Sequence, residues 1–278
     1  MPEPSSPYHI LVTNDDGIES AGIQTLAAEL GSVGQVTIVA PCGERSGSSM
    51  SMELDQEIRL RTFPEAAESS GGPMGNCVTT TPAGAVFFAT RVLAPVAGFD
   101  IVVSGINRGA NVGDVSHMSG TVGAAMAAAY LGVPAVAVSQ GDLSAGFEYG
   151  AEMAARFVRE LRLRGAEPGV VYSINLPTGT AEDTRGIAVR AMGGSFINIG
   201  HEEITEAEGE SGTDAGGEGQ RVFRLRFDAS DPYPAGSDSE AYEAGFITIT
   251  PLRFDWTDHA SIESLETWDL RALARDPG

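Results

Sequence analysis

The sequence predicts an α/β fold: a Rossmann-like core with a mostly parallel sheet, followed by a β-rich extension that ends in a helix. In the first half, short β-branched runs such as His9–Thr13 and Val36–Ala40 alternate with helical segments. This alternation is typical of βαβ units whose strands are covered on both faces. After Pro177 the strands become alternating and half-exposed in pattern, which places the boundary between core and extension at that residue.

Helices and strands alternate throughout the predicted core, residues 1–177. Its remaining predicted strands are Asp100–Ser104, Pro134–Ser139 and Val170–Asn175. Its predicted helices are Ala21–Leu30, Pro82–Leu93, Ser119–Leu131 and Phe147–Leu163. Apolar residues recur in these helices at helical spacing, and the proline that opens the second helix suits a first turn. Because ligands of such sheets bind beyond the carboxyl ends of the strands, that edge is where we expect a functional site.

The predicted extension, residues 178–278, has a different composition. Its predicted strands are Ile187–Ala191, Val222–Phe227 and Phe246–Thr250, and its predicted helix is Ser261–Ala274. Residues 201–220, between the first two of these strands, are rich in Glu and Gly. Such a composition cannot bury a core, so we expect a mobile loop there.

The chain is strongly acidic. Its 278 residues carry a formal net charge of −21, and all 17 basic residues are arginine. A field of that sign repels nucleic acid and anionic membranes, so we expect neither as a partner. A small phosphorylated molecule is compatible with the charge, because a bound metal ion reverses its sign locally.

The sequence predicts a cytoplasmic protein. No apolar run reaches the roughly 20 residues that span a bilayer, and the polar start, residues 1–8, lacks the pattern of a secretory signal. Cys42 and Cys77 are too few for a disulfide framework or a zinc site. We therefore expect two free thiols in a reducing compartment.

An acidic turn follows the first predicted strand. Its residues are Asn14, Asp15, Asp16 and Gly17. Neighbouring side chains on a strand point to opposite faces, so the two carboxylates converge only if the chain turns there, which Gly17 makes easy. Once together they repel unless a cation joins them, and Mg²⁺ prefers oxygen ligands. The alternative is a plain turn, since Asn, Asp and Gly dominate turns.

Two more polar segments follow strands of the predicted core. After the second strand, Ser46 offers a hydroxyl to a metal ion and Arg45 offers a guanidinium to a phosphate; the alternative is a flexible loop. After the strand Asp100–Ser104, Asn107 offers a neutral oxygen ligand, and glycines including Gly105 allow close approach of the backbone to a ligand. The segment after Asp100–Ser104 does not match the G-x-G-x-x-G motif, so the sequence does not support dinucleotide binding.

The fourth polar segment begins a helix with Ser119, Gly120 and Thr121. Free N–H groups at a helix N-terminus favour an anion, so a phosphate group is expected to bind there. The alternative is that Ser119 simply caps the helix, and both roles are compatible. Each of the four segments is weak evidence alone. Because all four fall at one predicted sheet edge, together they predict a site for a metal ion and a phosphate.

Five motifs of the chain resemble those of the SurE family. They are NDDGI (14–18), APxxERSG (40–47), SGINRGAN (104–111), SGTVGAA (119–125) and GFITITPLxxD (245–255). They occur in the family's order and approximate spacing over residues 8–257. Their combination is specific, although no single motif is.

This resemblance implies a metal-dependent nucleotidase that acts on nucleoside 5′- and 3′-monophosphates. It implies one divalent ion per subunit, Mg²⁺ or Mn²⁺, with these ligands: Asp15, Asp16, Ser46 and Asn107. It also implies a Rossmann-like core whose C-terminal extension is exchanged between subunits, and therefore a homodimer or homotetramer.

The residues and the resemblance together predict metal-assisted hydrolysis of a phosphomonoester. Asp15 is the expected acceptor of the proton from the attacking water, and attack by Asp15 itself stays open. The residues expected to hold the substrate's phosphate are Asn14, Arg45, Gly105, Ser119, Gly120 and Thr121.

Three places depart from the family's pattern. They are residues 80–85 (TTPAGA), residues 114–118 (DVSHM) and Cys42, where an aspartate is common. None removes an expected metal ligand, so they concern the choice of substrate. They leave two alternatives to a general nucleotidase: a phosphatase dedicated to another metabolite, and a non-catalytic nucleotide-binding protein on the same fold.

Overall fold

A computed structural model of the protein describes residues 8–63, 75–94, 98–141, 146–194, 196–204, 221–229, 232–268 and 270. The strands of this part of the chain are β1 (His9–Thr13), β2 (Gln35–Pro41), β3 (Leu60–Phe63), β4 (Gly75–Val78), β5 (Ile101–Arg108), β6 (Ala135–Gln140), β7 (Val170–Leu176), β8 (Ile187–Val189), β9 (Ile197–Ile204), β10 (Val222–Ala229) and β11 (Ile247–Arg253). Nine of them form one sheet in the order β3-β4-β2-β1-β5-β6-β7-β11-β8. Strands β4 to β7 of that order are parallel, whereas β3 and β11 run antiparallel to their neighbours β4 and β7.

Six α-helices accompany the strands in the described residues. They are α1 (Ala21–Leu30), α2 (Pro82–Phe88), α3 (Gly120–Tyr130), α4 (Glu148–Arg164), α5 (Asp238–Glu243) and α6 (His259–Glu266). A π-helical turn, Ala89–Leu93, continues α2, and a 3₁₀ turn, Gly113–His117, precedes α3. None of the helices in this part of the chain is both long and apolar enough to cross a membrane.

Helices cover both faces of the parallel strands. Successive side chains of a strand point to opposite faces, so β1 contributes Ile10 and Val12 to one hydrophobic core and Leu11 to the other. The first core lies against α1 and α4, and the second against α2 and α3. The predicted α/β class with a Rossmann-like core is therefore confirmed, because the central strands are buried on both sides.

A bulge in β5 shapes the carboxyl edge of the sheet. The pairing of β5 with β6 shifts between Ser104 and Asn107, and the peptide bond between Gly105 and Ile106 is cis. Gly105 has a φ of +139°, and a Cβ atom there would overlap the carbonyl oxygen of Val138. The packing of β5 on β6 thus requires glycine at residue 105, and β5 continues past the bulge to Arg108.

The chain beyond residue 177 contributes to the main sheet as well as to a second one. Strand β11 pairs with β7 and β8, whereas β9 and β10 form a separate antiparallel pair. His201–Ile204, predicted as part of a loop, belongs to β9; residues 205–220 of that predicted loop lie outside the described residues. The predicted helix Ser261–Ala274 is observed only in part, as α6, which begins at His259 and ends at Glu266; residues 269 and 271–274 lie outside the described part.

Asp238, the first residue of α5, ties this later part of the chain to the segment that leads from β5 to α3. Its buried carboxylate accepts hydrogen bonds from the backbone N–H groups of Gly113 (3.1 Å) and Gly193 (3.0 Å). Burial raises the pKa of Asp238, and these donors oppose the rise. The segment before α3 is therefore held from two sides, by β5 and by α5.

The two cysteines form a disulfide bond, so the expectation of free thiols is wrong. Cys42 follows β2, and Cys77 lies in β4, the parallel neighbour of β2. Their Cα atoms are 4.7 Å apart, within the ordinary range for a disulfide. The pairing escaped prediction because 35 residues separate the cysteines in sequence and β4 was not recognised as a strand.

Most predicted elements of the core are confirmed to within a few residues, because their apolar patterns match the burial that the sheet gives them. The elements that escaped prediction are β3, β4, β9 and α5. Edge strand β3 is largely exposed and carries little pattern. Helix α5 did have a signal, since Ser237 accepts a hydrogen bond from the Glu240 N–H as in an N-terminal capping box.

Candidate functional site

The polar segments predicted from sequence meet at the carboxyl edge of the parallel strands. The turn after β1, the loop after β2, the end of β5 and the first turn of α3 all border one place. The contact is close, because a Cβ atom at Gly120 would lie 2.8 Å from Asp15 Oδ2 and 2.7 Å from Ser48 Oγ. Gly120 is therefore needed for α3 to approach the turn after β1.

Asp15 is the most buried carboxylate of this site. It is 2% exposed, and its Oδ1 accepts a hydrogen bond from the Thr121 hydroxyl. Burial raises the pKa of Asp15, while the Thr121 hydroxyl and the backbone N–H groups of Thr121 and Gly120 act against that rise. The positive end of α3 therefore faces an aspartate of the chain itself.

Asp16 is half-buried, and its carboxylate has fewer hydrogen-bond donors than that of Asp15. Burial raises the pKa of Asp16 to about 6, and the negative charge of Asp15 adds to the rise. The backbone N–H and the positive charge of Arg108 act in the opposite direction. Asp16 Oδ2 is buried and has no hydrogen-bond partner among the described residues. An acceptor left in this state is suited to a cation or a proton.

Asn14 holds the acidic turn in shape. Its buried side-chain amide donates hydrogen bonds to the Gly17 carbonyl oxygen (2.9 Å) and to Ser20 Oγ (2.8 Å). Gly17 has a φ of +93°, a conformation that favours glycine. The turn predicted at NDDG is therefore present, and Asn14 Oδ1 has no hydrogen-bond partner among the described residues.

The loop after β2 places its two predicted site residues differently. Ser46 is exposed, and its hydroxyl donates to the Glu44 carboxylate at 3.0 Å. The backbone N–H of Arg45 donates to the Asp15 carbonyl oxygen at 2.7 Å, whereas the Arg45 guanidinium pairs with Glu53 at 3.4 Å. In this arrangement Ser46 is bound by a carboxylate of the same loop, Glu44, and Arg45 by a carboxylate that follows the loop, Glu53.

Asn107 lies near the carboxyl end of β5, and its side chain is held through its nitrogen. Its side-chain nitrogen donates to the carbonyl oxygens of Gly109 (2.8 Å) and Arg108 (3.3 Å). The described residues give Asn107 Oδ1 no hydrogen bond, so this oxygen is available as a neutral ligand.

The residues expected to hold phosphate have other partners here. Ser119 caps α3, because its Oγ accepts a hydrogen bond from the Val122 N–H at 3.2 Å. Thr121 and Gly120 face Asp15, and Gly105 is buried in the sheet against the Val138 carbonyl. The N-terminal turn of α3 thus supports the acidic pair.

Two site residues were missed by sequence reasoning. Ser48 Oγ is buried without a hydrogen-bond partner among the described residues and lies next to Gly120. Arg108 ends β5 beside Asp16. Both stood inside segments already singled out, but only packing shows which side chains of a loop face the site.

The donor set fits a hard divalent cation. Burial and the adjacent charge of Asp15 together raise the pKa of Asp16, and a bound cation relieves the repulsion between the two carboxylates. Aspartate and asparagine oxygens are ligands of the type that Mg²⁺ accepts. Groups of three or more His, Cys, Asp or Glu side chains able to hold a metal ion do not occur in the described ranges. A cation held here would therefore be bound by one acidic pair and neutral oxygens.

Comparisons with known proteins identify the family. A family model described as "Survival protein SurE" matches residues 10–198, more than half of the chain. The chain belongs to the SurE family. Its relatives include the 5′-nucleotidase SurE of Geobacter sulfurreducens, which is 36% identical over 274 residues and covers 97% of both chains.

Further SurE-family comparisons extend over nearly the whole chain. The 5′/3′-nucleotidase SurE of Serratia proteamaculans is 35% identical over 270 residues, covering 95% of this chain and 97% of its own. The crystal structure of the SurE protein from Aquifex aeolicus superposes with a TM-score of 0.74 at 26% identity. That match covers 93% of this chain and 98% of the Aquifex chain, so the extension shares in the similarity.

We predict that Thr121→Val destabilises the protein and weakens divalent-cation binding. The variant keeps the shape of the side chain but leaves the buried Asp15 carboxylate without its hydroxyl donor, at a cost of about 1–3 kcal/mol. Urea unfolding and calorimetric titration with Mn²⁺ measure the two effects. Thr121→Ser is the control, because it keeps the donor. Equal stability and Mn²⁺ affinity in Thr121→Val and wild type would contradict the assignment.

We predict that metal-free protein loses stability as the pH rises towards neutrality, in part through Asp16. Its pKa is about 6 in the folded state against an ordinary 3.8, so between these values the folded state holds a proton that the unfolded chain releases. Denaturant unfolding across this pH range measures the trend. In Asp16→Asn the trend should be weaker, and parallel pH profiles for the two proteins would argue against the raised pKa.

Proposed function

We propose that this protein is a divalent-metal-dependent phosphomonoesterase that hydrolyses nucleoside 5′- and 3′-monophosphates to nucleoside and phosphate. The observation that carries the proposal is the pair Asp15 and Asp16, brought together at the carboxyl edge of the sheet in a SurE-family chain. The substrate class is suggested by the names of relatives, 5′-nucleotidase and 5′/3′-nucleotidase.

The residues that would hold Mg²⁺ or Mn²⁺, one ion per subunit, are Asp15, Asp16, Asn107 and Ser46. Asp15 is already fixed by α3, and Asp16 and Asn107 each present an oxygen that the described residues leave without a hydrogen bond. Ser46 joins them once its hydroxyl leaves Glu44. When bound, such an ion neutralises charge on the phosphoryl group and lowers the pKa of a bound water.

The two aspartates would have different roles, one as a fixed metal ligand and the other as a proton acceptor. Asp15 Oδ1 is committed to Thr121, which suits a fixed ligand. Asp16 Oδ2 has no such commitment and lies on the more exposed of the two residues, so it is the better acceptor for the proton of the attacking water. This assignment replaces Asp15, the acceptor expected from sequence, with its neighbour.

The activity is tested by phosphate release from an aryl phosphate and from nucleoside 5′- and 3′-monophosphates. We expect EDTA to abolish release, Mg²⁺ or Mn²⁺ to restore it, and nucleotides to be the faster substrates. Asp16→Asn should lose at least about 100-fold in rate, since it removes a ligand and a proton acceptor. The control is Asp100→Asn, which changes an aspartate before β5, at the opposite edge of the sheet.

The remaining outcomes separate the alternatives. Release from the aryl phosphate but from no nucleotide would indicate a phosphatase dedicated to another metabolite. Nucleotide binding without turnover under any metal would indicate a non-catalytic binding protein. A net charge of −21 favours a small phosphomonoester over nucleic acid or membrane as the partner, and a cytoplasmic location stays a prediction.

We also propose that the chain forms a homodimer or homotetramer through its C-terminal extension. On β10, alternate residues lie on one face, and Phe223, Leu225 and Phe227 on that face are all exposed. Helix α6 buries none of its residues. Apolar surface of this kind is typical of a subunit interface.

Light scattering tests the proposed assembly. We expect wild-type protein to measure as a dimer or tetramer and Leu225→Glu to shift it towards the monomer, because a charge replaces exposed apolar surface at the interface. Arg224→Glu, on the other face of β10, is the control. A wild-type monomer, or equal masses for both variants, would contradict the proposal.

A further inference from the structure

The hydrogen-bond donors at the carboxyl edge are largely occupied by the chain's own carboxylates. The Thr121 hydroxyl and the N–H groups of Gly120 and Thr121 face Asp15, and the Ser46 hydroxyl donates to Glu44. The predicted phosphate cradle at the start of α3 therefore serves the acidic pair. Apart from the Ser48 hydroxyl, which has no hydrogen-bond partner among the described residues, a phosphate group entering this site needs another donor.

Arg45 is also engaged. Its backbone N–H binds the Asp15 carbonyl oxygen, and its guanidinium forms an ion pair with Glu53 at 3.4 Å. Turning that guanidinium towards a ligand would leave Glu53 without its ionic partner, and Glu53 already has one buried oxygen lacking a hydrogen bond in the described residues. In this arrangement the Arg45 guanidinium is therefore paired with Glu53.

The negative charge of the site favours a further cation besides a metal ion. Asp15, Asp16 and Glu44 bring three negative charges within reach of one another, so a divalent ion leaves one in excess. A phosphomonoester brings up to two more near neutral pH. The whole chain, with these residues included, carries a net charge of −21, which opposes the approach of any anion.

Arg108 is placed to provide that cation. Its backbone is fixed, because it pairs with Gln140 of β6, its carbonyl oxygen accepts from the Asn107 side chain, and its N–H faces Asp16. Its side chain is exposed, its charge acts on Asp16, and it forms no salt bridge with a carboxylate of the described residues. The Arg108 backbone is held beside the acidic pair, and its guanidinium has no carboxylate partner in the described residues. Together these two features suit recognition of an incoming anion.

We infer that Arg108 binds the phosphate group of the substrate, donating from its guanidinium to the phosphate oxygens while its backbone stays anchored beside Asp16. This inference deepens the proposed hydrolase function and rests on it for the identity of the substrate. Arg108 takes the role that the sequence suggested for Arg45. Two parallel N–H···O bonds from one guanidinium would fix the orientation of the phosphate as well as attract it.

The test compares cation and phosphate affinities in Arg108→Gln and wild type by calorimetry. Mg²⁺ is titrated into metal-free protein, and inorganic phosphate is then titrated into Mg²⁺-saturated protein. We expect the Kd for phosphate to rise about 10- to 100-fold, since a charge-assisted interaction is lost. The Kd for Mg²⁺ should stay the same or fall, because a positive charge beside Asp16 is removed while the backbone N–H remains.

Two further variants serve as an intermediate case and as a control for Arg108→Gln. Arg108→Lys keeps the charge but loses the paired donors, so its phosphate affinity should lie between those of wild type and Arg108→Gln. Arg164→Gln removes one positive charge from the last turn of α4, at the opposite edge of the sheet, and should change neither affinity. In steady-state assays with an aryl phosphate, KM should rise in Arg108→Gln by about the same factor as the Kd for phosphate.

Weaker phosphate binding together with unchanged or tighter Mg²⁺ binding is the signature of a phosphate-binding role. Joint weakening of Mg²⁺ and phosphate binding would indicate a structural role and overturn the inference. So would unchanged phosphate affinity in Arg108→Gln, or a loss seen in Arg45→Gln alone. If wild-type protein binds phosphate through Arg108 but hydrolyses no phosphomonoester, the inference holds and the proposed hydrolase function fails.

Discussion

A buried aspartate at the end of β1 is the constraint on which the site depends. Asp15 is almost fully enclosed, so it needs donors, and α3 supplies them through Thr121 and its first N–H groups. This contact draws α3 so close to β1 that a side chain at Gly120 would overlap Asp15 and Ser48. A helix start that usually attracts a ligand's phosphate is thereby used to hold a carboxylate of the protein.

The arrangement has an electrostatic consequence. Placing Asp16 and Glu44 near a buried carboxylate concentrates negative charge, and burial together with that charge raises the pKa of Asp16 to about 6. A divalent cation relieves the repulsion, which is why the geometry suits a metal. Recognition of the proposed phosphate substrate then needs a separate positive charge on the protein, and Arg108 lies beside the pair without a carboxylate partner in the described residues.

The later part of the chain is connected to the same place. Strands β8 and β11 extend the main sheet, and Asp238 of α5 binds the N–H of Gly113 in the turn before α3. The extension therefore supports the helix that supports Asp15. Its separate pair β9 and β10 remains exposed, and this is the surface proposed above for association with another subunit.

The α/β class, most core elements and the segments that meet at the site could be predicted from local patterns, because burial on both faces of a sheet and turns at strand ends leave such patterns in the sequence. The partners of these residues could not be predicted in this way. Pairing of β2 with β4 joins Cys42 to Cys77, and α3 turns Thr121 towards Asp15. These contacts join residues that are distant in sequence. Spacing along the chain does not show which distant side chains the fold will bring together.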